Sequence, residues 1–153
     1  MLKIDEIMYD LHEFLLPINK TLLSDDQEYN DSQFGSCIKI YEEIIPDMSG
    51  VNIVILGINE FRGEGFISKE NAADEIRKQL YRLHYWHKDV AIADLGNIKC
   101  GASISDSYAA TKTVVAELLR LNKTVILIGG SHDNTLAQYY AYKELSKIIE
   151  ATV

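Results

Sequence analysis

Three observations predict an α/β fold: a parallel sheet with helices on both faces, three layers in all, and strand order 2-1-3. First, three short runs rich in apolar and β-branched residues recur, Val51–Ile58, Val90–Gly96 and Thr124–Ile128. Strands buried on both faces read in this continuous way. Second, helical periodicity fills the intervals between them. Third, the runs end in glycine or polar turn residues, as strands do before they feed a crossover helix. Alternation of strand and helix calls for right-handed crossovers and a parallel sheet.

Taken in order, Ile4, Met8, Leu11 and Leu15 fall at helical spacing and predict an amphipathic helix ended by Pro17. Residues 19–50 are polar and irregular, with one possible strand where Phe34, Ser36, Ile38 and Ile40 alternate with polar neighbours. Residues 1–50 therefore read as an irregular extension with one helix, within a single α/β domain over 1–153. Ala72, Ile76, Leu80 and Leu83 predict a helix capped by Ser68 or Asn71. Ser105 or Asp106 is the expected cap of the next helix, with Tyr108, Thr111, Val115, Leu118 and Leu119 facing the core and Asn122 as its left-handed stop. The last helix runs from Leu136 to about Lys147. Ile148–Val153 reads as the start of a further strand. The expectation is that the chain is a portion of a longer protein, or that something else completes this strand.

Composition bounds the function. The chain has 153 residues and a net charge of −8, from 23 acidic and 15 basic residues, which disfavours nucleic-acid binding. No apolar run reaches the roughly 20 residues that span a bilayer. The two cysteines, Cys37 and Cys100, have neither metal nor redox spacing. With no signal-like apolar core near Met1, the expected location is cytoplasmic. G-x-G-x-x-G, P-loop and G-x-S-x-G patterns are missing, which excludes the corresponding dinucleotide, nucleotide and esterase readings.

The stretch with chemistry is Gly129-Gly130-Ser131-His132-Asp133, at the C-terminal end of the third strand. Ligands of open α/β sheets bind at such ends. Two glycines permit a tight turn beside a ligand, and an imidazole presented there can bind a metal. Equally, Ser131 or Asp133 can simply cap the following helix. In a 2-1-3 order the loop with Glu60, Arg62 and Glu64 lies beside the His132 turn at the topological switch point, so these three are candidate substrate contacts. Their other reading is a solvated loop. Asp94 reads best as a loop cap, His84 and His87 as helix-end decoration around Trp86, and His12 as a surface residue.

Asp106–Tyr142, centred on Thr124-Val-Ile-Leu-Ile-Gly-Gly-Ser-His-Asp133, resembles the first metal-binding region of the ureohydrolases: arginases, agmatinases and formimidoylglutamases. Asn71–Leu80 is similar to the family's helix after the first strand, and Asp94-Leu-Gly-Asn97 to its Asp-Leu-Gly-Asp segment. The family motif reads Gly-Gly-Asp-His-Ser, so the polar neighbours of the histidine are exchanged here. The resemblance implies that His132 is a ligand of one ion in a two-manganese cluster. It implies a small amidine or guanidine substrate whose C–N bond is hydrolysed by a metal-bound hydroxide, in the manner of the formimidoylglutamase branch.

It also implies a larger parallel sheet, of which this chain holds a part. The family's Asp-x-His-x-Asp and later Asp-x-Asp, which supply the other ligands, do not occur. The expectation is an N-terminal portion of an arginase-like fold that is inactive alone and binds Mn²⁺ weakly or not at all, because one histidine cannot hold two hard cations. A homo-oligomer through Thr124–Ile128 or Ile148–Val153 is expected, since an unpaired strand edge pairs readily with a second copy. The alternatives are a non-catalytic flavodoxin-like binding or oligomerisation module and, more remotely, a response-receiver-like domain.

Overall fold

The computed structural model describes residues 4–25, 27–65, 71–87 and 89–146. The three expected strands form β3 (Ile53–Gly57), β4 (Ile92–Ile98) and β5 (Thr124–Ile128). They are parallel, with β3 in the centre, Ile53 opposite both Ile92 and Thr124. The 2-1-3 order therefore holds. Among the described residues the sheet has two further members, both on the outer edge of β4. β1 (Leu15–Leu16) runs antiparallel beside Asn97 and Ile98, and β2 (Lys39–Ile40) runs parallel beside Ala93 and Asp94. The segment that reads as irregular in sequence thus covers one edge of the sheet, a common way of blunting an edge.

Helices pack on both faces. Val54 and Leu56 of β3, Ala93 and Leu95 of β4 and Val125 of β5 share one core with α5 (Ile104–Arg120) and with Met8 and Leu11 of α1 (Ile4–Leu11). α6 (Thr135–Glu144) lies against α5, and Lys112 and Arg120 of α5 both pair with its Glu144. The alternate residues of the strands face α4 (Ala72–Leu80), where Tyr81 anchors a second core with Ile18, Leu23 and Ile38. Leu23 belongs to α2 (Lys20–Leu23). No described helix is long and apolar enough to cross a membrane.

Several local expectations are corrected. The first helix ends at Leu11, passes through a 3₁₀ turn at His12–Phe14, and is extended at Leu15–Leu16 before Pro17. Proline disfavours helical backbone in the residue before it, and β4 captures the extended form through Lys99 N donating to Phe14 O at 2.9 Å. The alternating Phe34–Ile40 segment is not one strand, because Phe34–Cys37 forms a helical turn, α3. Long-range bonds override the alternation: Phe34 N donates to Leu83 O at 2.8 Å and Gly35 N to Tyr81 O at 3.0 Å. Gly35 is needed there, since a Cβ would lie 2.9 Å from the Tyr29 ring.

α4 is capped by Asn71, whose side chain accepts from Asp74 N; the alternative cap Ser68 lies outside the described residues. Its buried face, however, is Ala73, Arg77 and Tyr81, while Ile76 and Leu83 are 43% and 58% exposed. An arginine takes the core position because its charge is fully partnered. Asp94 is no loop cap but a buried β4 residue that accepts from Arg77 Nε and Nη2, both at 2.8 Å, and from Tyr81 OH at 2.9 Å.

α5 starts two to three residues earlier than expected. Ser103 caps it in a reciprocal capping box with Asp106. Its buried face includes Thr111, Val115, Leu118 and Leu119 as predicted, and Asn122 is left-handed at φ 56°. α6 ends at Glu144, short of the expected Lys147, with Leu145 as its C-cap and Ser146 left-handed at φ 51°; the 148–153 strand start lies outside the described residues.

Candidate functional site

β3 and β5 deliver their C-terminal ends side by side, and Ile58 N still donates to Ile128 O at 2.9 Å just beyond the ladder. Past that point the β5 chain must turn sharply. Gly129 and Gly130 do this at φ 80° and 72°, a left-handed backbone that L side chains rarely adopt. A Cβ on Gly129 would also lie 2.7 Å from Ile58 O and 2.9 Å from Ala73 N. Residues His132–Asn134 then form a 3₁₀ turn that leads directly into α6.

The turn is stitched to the loop after β3 mainly through one carbonyl. Glu60 O accepts from Ser131 N and Ser131 Oγ, both at 2.9 Å, and from Asn134 Nδ2 at 3.0 Å. His132 N donates to Glu64 Oε1 at 3.1 Å. The convergence of the 60–64 loop with the His132 turn is therefore real. Its side chains are used unequally. Glu60 is 1% exposed, and its carboxylate accepts from Arg62 Nε at 2.9 Å, Arg62 Nη2 at 2.5 Å and Ser107 Oγ at 2.6 Å. Arg62 reaches on to Gly101 O at 2.9 Å and Ala102 O at 2.8 Å, which ties in the loop after β4.

The guanidinium beside Glu60 holds its carboxyl down at about 2, and the same bond raises Arg62. Glu60 and Arg62 thus act as a brace between three strand-end loops. Glu64 and His132 are the expected site side chains left exposed to solvent.

Asp133 points away from the open rim. Its Oδ2 accepts from Tyr108 OH, next to Gly63, and its Oδ1 is buried with no partner among the described residues. Ser131 is 6% exposed and serves the loop contact just described. Beside the turn lies a polar-rimmed cavity of about 390 Å³, lined by Gly129–His132, Asn134, Thr135 and Gln138, with Ile58 and Leu127 at its apolar side.

A divalent ion requires several converging oxygen or imidazole donors. Among the described residues no three His, Cys, Asp or Glu side chains converge. These residues do not make a complete metal centre. His84 and His87 are both exposed and lie edge-to-face with the Trp86 ring, and His12 stacks on Tyr9.

Two residues of the site escape a reading of spacing. Ser107 has the pattern of any first-turn serine, and Asn134 that of any residue before a helix. The approach of the β3 loop gives them their distant partners, the Glu60 carboxylate for Ser107 and Glu60 O for Asn134.

Residues 51–149 match the family model described as the arginase family. Over 87 residues the chain is 32% identical to a formimidoylglutamase from Vibrio parahaemolyticus serotype O3:K6 (strain RIMD 2210633), a match covering 56% of this chain and 25% of that protein. Over 70 residues it is 34% identical to a formimidoylglutamase from Hahella chejuensis (strain KCTC 2396), covering 46% and 21% respectively. The chain thus spans a quarter or less of the curated relatives it matches.

Two solved structures share the fold. A hypothetical agmatinase from Burkholderia thailandensis aligns with a TM-score of 0.55 and 20% identity, over 73% of this chain and 37% of that one. A Trypanosoma cruzi formiminoglutamase, oxidized and with Mn²⁺₂ at pH 6.0, aligns with a TM-score of 0.56 and 16% identity, over 75% and 42%.

Proposed function

The chain belongs to the arginase family, and from that membership we propose that it carries one segment of a hydrolase site for the C–N bonds of small linear amidines or guanidines. The observation that supports this reading is the His132 turn, held at the C-terminal ends of β3 and β5 and braced by the 60–64 loop. Such a position at a switch point is where ligands of open α/β sheets bind. Both curated relatives named above are formimidoylglutamases, which favours a linear amidine over a guanidine as the substrate class.

His132 is proposed as a single Mn²⁺ contact, with Glu64 beside it, and the chain alone as inactive. A homo-oligomer and a cytoplasmic location complete the proposal; the latter suits two free cysteines.

Paramagnetic broadening tests the metal contact. Millimolar Mn²⁺ is expected to broaden the His132 imidazole resonances before those of His12, His84 and His87, and His132→Ala removes the effect. Equal broadening of all four histidines overturns the assignment and favours the flavodoxin-like module instead. Formamide or urea release by the isolated chain with added Mn²⁺ overturns its inactivity.

A further inference from the structure

A cavity of about 510 Å³ opens where β3 and β4 begin, at the opposite end of these strands from His132. Its floor is Phe34, Ile53, Val90 and Ile92, all half-buried, and Ile53 and Ile92 are the first residues of the two strands. Its rim is His84, Trp86 and His87, all exposed. The loop that carries the rim is fixed at several points. Tyr85 N donates to Ser32 O at 2.8 Å, Val90 N to His87 O at 3.1 Å and Ala91 N to Asn52 Oδ1 at 3.0 Å. Tyr85 OH donates to Val90 O, and its ring stands at 90° to that of Phe34 with centroids 5.5 Å apart.

We infer that this cavity binds a small aromatic carboxylate, its ring on the apolar floor and its acid group among the rim nitrogens. The polar atoms of the rim select the head group. An indole N–H is a donor only, and an imidazole always carries at least one N–H. Among the described residues the ring nitrogens of His84, Trp86 and His87 have no hydrogen-bond partner, and no described lining residue is an acid. Three unengaged donor rings at one mouth suit an acceptor, and a carboxylate accepts from several donors at once.

The lining selects the body. Trp86 is 71% exposed, and the imidazoles of His84 and His87 lie edge-to-face with it at centroid distances of 6.3 and 5.7 Å. Aromatic surfaces pair best edge-to-face or offset, so a ring entering here gains contacts that an alkyl chain of the same area does not. A volume of about 510 Å³ is that of a small-molecule site, and such sites combine an apolar lining with a few convergent polar groups. A cation is the competing occupant, since aromatic faces attract it. With no acid among the described lining residues, its charge would be left unbalanced. Binding here does not depend on the amidine reading.

Trp86 is the only tryptophan of the chain, so its emission reports on this cavity alone. Titration of the unmodified protein with 3-phenylpropanoate, excited where the phenyl ring does not absorb, is expected to give a saturable change with a Kd on the order of 1 mM. The His84 and His87 imidazole resonances are expected to shift with it, and those of His12 and His132 to stay in place. 3-Phenylpropylamine, which exchanges the head group, and acetate, which lacks the ring, are each expected to bind at least tenfold more weakly. His84→Phe/His87→Phe keeps the rings and removes their N–H groups. It is expected to weaken 3-phenylpropanoate at least fivefold, with the circular dichroism spectrum unchanged.

The absence of a saturable change at concentrations tenfold above that Kd overturns the inference. So does an amine that binds as tightly as the acid, which makes the rings a cation cage, or acetate that does so, which leaves only an anion contact at the imidazoles. An affinity unchanged in the histidine variant also overturns it. Emission that acrylamide cannot quench in the unliganded protein likewise sinks it, because another part of the protein or a second copy then covers the face. Titration of the unmodified protein, followed through the imidazole resonances, keeps the test decisive even if the variant fails to fold.

Discussion

Replacing Arg77 by methionine removes the most heavily bonded buried cation described in the fold. The guanidinium is 0% exposed. It donates to both Asp94 oxygens at 2.8 Å, to Asn97 Oδ1 at 2.6 Å, to Asp74 Oδ1 at 2.9 Å and to Gly96 O at 3.0 Å. Methionine fills much of the space but leaves the Asp94 carboxylate buried, with Tyr81 OH and Gly96 N as its remaining donors. Breaking a buried ion pair by removing one partner costs about 3–5 kcal/mol.

Against a total of about 5–15 kcal/mol for a domain, that is a large fraction, and it corresponds to a fall in Tm of roughly 6–20 °C at this chain length. The double variant Arg77→Met/Asp94→Leu removes both charges, and replacing a buried pair by apolar side chains is often neutral. It should therefore regain at least half of the loss. Urea unfolding followed by circular dichroism at neutral pH measures all four corners of the cycle, with a constant m-value as the check on two-state behaviour. A loss below about 1 kcal/mol for Arg77→Met refutes the role given to this network, as does a double variant less stable than the single.

Two further outcomes follow from the loop geometry. Glu60 titrates at about 2 in the fold against an ordinary 4.5, so its contribution is present above 4.5 and is lost as pH falls through 2. Glu60→Gln should therefore flatten the loss of stability over that window, and equal slopes in paired urea melts at pH 4.5 and pH 2.5 would show that the Arg62 brace is not responsible. Gly129→Ala places a Cβ at φ 80° and 2.7 Å from Ile58 O. It should cost at least about 1–2 kcal/mol from the left-handed backbone alone and shift the His132 resonances, whereas an unchanged melting curve would mean that the turn relaxes freely.

The three strands, their order and the meeting of the 60–64 loop with the His132 turn were legible in the sequence. Parallel strands buried on both faces are written as apolar runs, and a crossover rule converts their sequence order into a spatial one. The Gly129-Gly130 turn was legible for a similar reason, since its backbone conformation is a local property of glycine.

What the tertiary structure alone decided is which polar groups meet. Arg77 is a core residue because Asp94 waits across the sheet, and without that partner the apolar stripe Ala72, Ile76, Leu80 and Leu83 looks like the buried face. Glu60 is a brace because Arg62 and Ser107 enclose it. Residues 15–40 cover β4 because backbone bonds from distant loops outweigh their own weak periodicity. Period and turn chemistry are local and can be read along a chain. Burial of a charge is favourable only when a partner distant in sequence offsets its desolvation, and that pairing exists only once the chain has folded.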